Sequence, residues 1–146
     1  MKEANQINQL IKQVDSYVQN CPENVMEYKA FPHKWSKKEI LGHLVDSAIH
    51  NIQRFVEIQF SSSVYSVHPY RQNEWVSVND YQHTNTQSLL QLWMVLNQRI
   101  VQIISNLDED TVNIPIFINE HRQENLAFLI SDYAHHMAHH VKQIVG

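Results

Sequence analysis

The chain reads as an all-α protein: a four-helix bundle, one domain over residues 1–146, with a long connection between the second and third helices. Three observations carry that expectation. Only two glycines and four prolines occur in 146 residues, too few for a turn-rich β fold. Four separate stretches repeat apolar residues at the i, i+3, i+4, i+7 spacing of an amphipathic helix. The length allows one hydrophobic core and falls short of two ordinary domains.

The first helix carries Ile7, Leu10, Ile11, Val14 and Val18 and should stop near Cys21-Pro22, because proline disfavours helix at the residue before it. The second begins in WSKKEI. There Ser36 caps the helix, Glu39 returns the bond to the Ser36 amide, and Trp35 and Ile40 occupy the positions of a hydrophobic staple. It should run to about Phe60 and end in Ser61-Ser62-Ser63. The aromatic-rich segment that follows, to about Thr84, is long for a compact domain. It suggests a lid packed down by Tyr70, Trp75 and Tyr81.

A third helix is expected from about Thr84–Thr86, with Thr84 and Gln87 as its capping box and Leu89, Leu92, Trp93, Leu96, Ile100, Ile103 and Leu107 as its stripe. VNIPIFINEHRQEN then alternates like a short two-stranded excursion. Asn125 caps the last helix, which runs to the end of the chain. In bundles of this kind, metal and cofactor sites form between facing helices.

Composition narrows the function. The formal charge is −4 and no basic run occurs, which argues against a nucleic-acid surface. No stretch approaches the roughly 18 apolar residues of a membrane span, and the first residues lack a signal-peptide core. The single Cys21 has no internal partner and suits a reducing compartment. The expectation is a soluble cytoplasmic protein without nucleic-acid or membrane partners.

The chemistry concentrates in histidine, of which there are ten. The last helix contains YAHHMAHHVKQI. On a wheel turning 100° per residue with Leu126 at zero, the apolar residues Leu129, Ile130, Tyr133, Met137, Val141 and Ile144 centre near about 20°. His136 and His140 fall at about 280° and 320°, beside that face, while His135 and His139 fall at about 180° and 220°, away from it. The inner pair is therefore His136 and His140. Their i, i+4 spacing stacks two imidazoles one turn apart, as in H-E-x-x-H zinc motifs. Zinc takes three protein ligands in a catalytic site. The second helix offers His43 and His50, seven apart, with Asp46, Ser47 and Arg54 beside them. The wheel leaves both open, since His43 lies about 60° beyond Ile40 at the edge of the apolar arc.

The stretches WSKKEILGHLVDSAIHNIQRF and HHMAHHVKQI, with PYRQNEW and SLLQLWMVLNQRIVQII between them, resemble the DinB/YfiT-like superfamily, and its YfiT-type branch in particular. The resemblance runs from about Trp35 to Ile144. It implies a DinB/YfiT-type bundle holding one divalent ion on His43, His136 and His140. Gln143 stands where some relatives carry another histidine. The resemblance also implies either a thiol S-transferase using a low-molecular-weight thiol of the bacillithiol type or a metal-dependent hydrolase. A homodimer is a further expectation of the same kind, as is a non-enzymatic metal-binding stress protein.

Three neutral imidazoles leave an ion its full charge, so that a bound water or thiol becomes acidic. Histidine nitrogen suits zinc and nickel alike. A di-iron site is disfavoured, because it needs glutamates and two E-x-x-H motifs, whereas the last helix has only Asp132 ahead of His135. The expected reaction joins a thiol cofactor to an electrophilic small-molecule substrate. Asp46 and Arg54 are candidates to orient groups near the ion, and Tyr70, Arg71 and Trp75 to line the pocket.

Overall fold

The computed structural model describes residues 1–146. The elements are α1 (Lys2–Gln19), α2 (Glu23–Glu27), α3 (Lys37–Glu57), β1 (Tyr65–Ser66), α4 (Gln72–Val78), a 3-10 turn (Tyr81–His83), α5 (Thr86–Ser105), α6 (Glu109–Val112), β2 (Pro115–Asn119), β3 (Arg122–Asn125) and α7 (Leu126–Val145). The four long helices α1, α3, α5 and α7 make the bundle. α1 and α3 each pack against α5 and α7, so α1 stands diagonally across the core from α3, and α5 from α7.

Local signals set several boundaries. Ser36 accepts from the Glu39 amide and Glu39 accepts from the Ser36 amide, a complete capping box at the start of α3. Asn125 accepts from the Phe128 amide and starts α7. The expected Thr84 cap of α5 is corrected to Asn85, which accepts from the Ser88 amide. Asp80 takes the left-handed conformation (φ 53°) and opens the 3-10 turn. Thr84 closes that turn, its hydroxyl donating to the Asp80 carbonyl, so the following residue is the one left to cap the helix.

The predicted two-stranded excursion is present as β2 and β3, paired antiparallel. A third strand joins it, since β1 pairs in parallel with β2 through Tyr65–Ile116 and Ser66–Phe117. Two residues are too few to show a period of two, so the sequence gives no sign of β1. The stripe assigned to α5 also shifts. Leu92 is exposed, whereas Asn97 is fully buried and accepts from the Tyr133 hydroxyl at 2.5 Å.

α3 is buried on every side from Lys38 to Ala48. Lys38 is covered by α2 and pairs with Glu23 at 2.5 Å and Glu27 at 3.2 Å. Glu39 pairs with Lys29 at 2.5 Å. Gly42 faces Tyr81 so closely that an added Cβ would overlap the tyrosine ring. This enclosure corrects the wheel reading of His43. Helix phase leaves His43 at the edge of the apolar arc, yet its neighbours bury it completely. No helix is long and apolar enough to cross a membrane.

Candidate metal centre

α7 turns Leu129, Tyr133, Met137 and Val141 into the core, which brings His136 and His140 to the boundary facing α3. His43 meets them from α3. Its Nε2 lies 3.3 Å from His136 Nε2, and the ring centroids are 5.2 Å from His136 and 4.7 Å from His140. One ligand nitrogen from each of the three lies within 4.8 Å of the others. His135 and His139 are exposed on the opposite side.

The donor set fits an ion. Burial, with repulsion from His140 and His136, lowers His43 to about 3. Burial and His140 lower His136 to about 4. Burial also lowers His140, opposed by its bond to Gln143. All three are therefore neutral near pH 7, the form that binds metal. Two nitrogens bound tetrahedrally at about 2.0–2.1 Å stand roughly 3.3–3.4 Å apart, as His43 and His136 do here at 3.3 Å. Gln143 Oε1 lies 2.8 Å from His140 Nδ1. Accepting that N–H leaves the Nε2 lone pair of His140 free, the orienting role that partners of metal-binding histidines play. The Trp35 ring lies 4.8 Å from that of His43 and helps to keep water from it.

The other candidates separate into two groups. Arg54, Tyr70, Ser47, Asn51 and Asp132 line a cavity of about 140 Å³ together with His136. Asp46 is fully buried and does not line it. One of its oxygens accepts from the Tyr81 hydroxyl at 2.5 Å and the other has no partner. Burial raises its carboxyl to about 6, against the Tyr81 bond. His50 stays outside the cluster, with Nδ1 2.8 Å from the Asp46 carbonyl and its ring stacked 3.7 Å from that of Tyr70. Trp75 packs edge-on against His50 at 4.5 Å and backs the cavity wall without lining it. Arg71 is exposed, pairs with Glu74 at 3.2 Å, and borders a separate groove with Trp75.

A second opening of about 420 Å³ reaches the cluster from the His140 side, past His33, Lys34, Trp35, Asn73 and Gln143. Asn51, Asp132, Trp35 and Gln143 were not among the residues expected at the site, Trp35 being expected only as a helix staple. The i+3 spacing of Gln143 from His140 and the i−4 spacing of Asp132 from His136 were available signals. Nothing in the sequence links Tyr81 to Asp46, 35 residues away.

Fold and cluster together define a helical bundle whose histidines converge in a geometry able to hold one metal ion. The family model of the DinB superfamily matches residues 6–144, and the chain belongs to that superfamily. Among solved structures, YfiT from Bacillus subtilis, described as a probable metal-dependent hydrolase with an unusual four-helix bundle topology, superposes with a TM-score of 0.85 at 17% identity. The match covers 98% of this chain and 82% of that one. The mycothiol-dependent maleylpyruvate isomerase gives 0.76 at 12% identity over 98% of this chain, which spans only 59% of that enzyme. At such identities the likeness is one of fold. No curated protein matches the chain.

Proposed function

We propose that this DinB-superfamily protein is a metal-dependent enzyme acting on small molecules, in which a low-molecular-weight thiol of the bacillithiol type attacks an electrophilic substrate. The observation that carries the reading is the convergence of three neutral imidazoles, His43, His136 and His140, beside a polar cavity. Those three would hold a zinc or nickel ion, whose charge would acidify a thiol at the site. The thiol proton passes to solvent, sulfur bonds to the electrophilic carbon, and the leaving group departs with its electron pair. Gln143 fixes the His140 ring, Trp35 shields His43, and the Asp46–Tyr81 pair holds α3 against the 3-10 turn.

A second reading is favoured by Asp132, a carboxylate in the same cavity four residues before His136, and by the likeness to YfiT. In that reading the substrate is hydrolysed and Asp132 takes the proton from water. The experiment mixes metal-loaded protein with a chlorinated aromatic electrophile, with and without thiol, and separately with activated esters without thiol. Thiol-dependent turnover above the rate of free metal, lost in His43→Ala, supports the transferase. Thiol-independent ester hydrolysis that falls in Asp132→Asn replaces it with the hydrolase.

A further inference from the structure

Arg54 is a half-buried cation without a counter-charge. Its Nη2 donates to the His68 carbonyl at 2.7 Å, the guanidinium's one acceptor in the chain. No carboxylate lies within 4.0 Å of it. Burial lowers its pKa, and only the tyrosines Tyr70 and Tyr65 oppose that shift. A guanidinium has five N–H donors in a planar fork, and four of these are left over. A guanidinium with four free donors at the wall of a cavity is placed to bind a ligand that completes it.

The cavity defines that ligand. Arg54 and His136 line the same space of about 140 Å³, room for roughly five groups the size of a water molecule at about 30 Å³ each. Tyr70 adds a hydroxyl to the wall. Burial and the Asp46 charge push that hydroxyl up to about 12, so it stays a neutral donor at physiological pH. Asp132, exposed at the rim, supplies one negative charge. That charge disfavours a dianion such as phosphate and tolerates a single carboxylate. The planar fork of arginine matches a carboxylate with two parallel bonds.

We infer that Arg54 and Tyr70 form a carboxylate subsite, so that the thiol or substrate engaging the histidine cluster carries a carboxylate as well as its reactive atom. The reactive end rests on the metal reading above; the carboxylate end does not.

The test has two arms. In the first, propionate is titrated into chelator-treated protein and the Arg54 Nε–H signal is followed by NMR, with sulfate as the control anion. A saturable shift with propionate and none with sulfate supports the subsite; no shift, or equal shifts with both, overturns it. In the second, 3-mercaptopropionate and 3-mercaptopropanol are titrated calorimetrically into zinc-loaded protein. The carboxylate-bearing thiol should bind about 10- to 100-fold more tightly, as expected for charge-assisted bonds. Arg54→Gln should abolish that preference without changing zinc content, and Arg54→Lys should restore part of it. Equal binding of the two thiols by wild-type protein overturns the subsite while leaving the metal reading intact. A propionate shift at Arg54 in a protein that binds no zinc leaves the subsite standing and removes the metal reading instead.

Discussion

α3 and α7 deliver imidazoles to the same point from opposite surroundings. α7 keeps a solvent side, where His135 and His139 are exposed, and a core side carrying Tyr133, Met137 and Val141. α3 has no solvent side between Lys38 and Ala48. α2 and the segment after it cover Lys38 and Glu39, Tyr81 covers Gly42 and Asp46, and α5 and α7 take the remainder. Helical phase therefore sorts residues on α7 and sorts nothing on the first half of α3. A wheel reports the direction of solvent, and it is informative only where solvent reaches one side.

The largest expected effects fall on the three clustered histidines. Alanine at His43, His136 or His140 removes one of three donors. Metal affinity should fall by more than the roughly 10–100-fold that loss of a supporting partner costs. His50→Ala should keep the ion, because that imidazole is turned towards the Asp46 carbonyl and Tyr70. Metal per chain after equal dialysis decides the matter. Retention in His43→Ala together with loss in His50→Ala would show that the enclosed face of α3 has been assigned to the wrong histidine.

Next in size is Gly42→Ala, which probes the enclosure directly. The new Cβ would overlap the Tyr81 ring and come within 2.8 Å of Tyr81 Cβ, so a side-chain rotation cannot relieve it. Overpacking of this kind costs about 1–3 kcal/mol or more. The same variant displaces the turn that carries His43, so metal content should fall with stability. On the open side of α7, Ser131→Ala should stay within about 0.5 kcal/mol. Denaturant midpoints for the two variants test the contrast; equal midpoints would mean that α3 is not as enclosed as its burial indicates.

What the sequence made legible follows the same division. The Ser36–Glu39 box and the Asn125 cap are local bonds, readable from residues three apart. The phase of α7 was readable because it has two unlike sides, and it selected His136 and His140 without help. His43 was named through the family resemblance, since its burial is made by the Trp35 ring and by the α7 imidazoles, contacts that helix phase does not report. The left-handed Asp80 displaced the expected cap from Thr84 to Asn85, and a strand of two residues left β1 without a pattern. The cavity is hidden for a like reason: Arg54 and Asp132 come from different helices, and only the folded chain places them with His136.

A third effect is on pH dependence. In the metal-free protein His43 is held at about 3 and His136 at about 4, both below the ordinary imidazole value of 6.5. Between those values and 6.5 the unfolded chain binds more protons than the folded one, so stability falls as pH drops through that window. Asp46 acts in the opposite sense. Held at about 6 against an ordinary 3.8, it makes the folded chain bind the extra proton between those values, and its contribution is lost as pH rises there. With two large histidine shifts against one carboxyl, the net result is destabilisation in acid. The ordinary imidazole value would place metal loss near pH 6.5. Burial carries it lower, towards the values of His136 and His43, as long as the chain stays folded. Unfolding midpoints of metal-free protein from pH 7 to 5, with metal content and circular dichroism followed in parallel, check both statements. Stability that rises as pH falls from 6.5 would reverse the sign argued here, and metal lost at pH 6.5 from a folded chain would contradict the buried, neutral ligand set.

The smallest effect belongs to the outer histidines, and it is also the sharpest check on the phase of α7. His135 and His139 share the i, i+4 spacing of the inner pair, so spacing alone cannot tell the pairs apart. Both are exposed, and exposed substitutions away from caps and networks stay within about 0.5 kcal/mol. The four histidine-to-alanine changes on α7 carry the same gain in helix propensity, which cancels when they are compared with one another. His139 has one contact with the site, its ring 5.1 Å from that of His140. It also lowers the pKa of His136 and His140 by repulsion. His139→Ala should therefore leave metal content unchanged at pH 7 while moving the acid loss of metal slightly upward, because less positive charge then opposes protonation of the ligands. His135→Ala should not move it, since His135 contributes to neither shift. Metal content against pH for the two variants reads this difference. An ion lost at pH 7 from either one would place the outer pair, and not the inner, against α3.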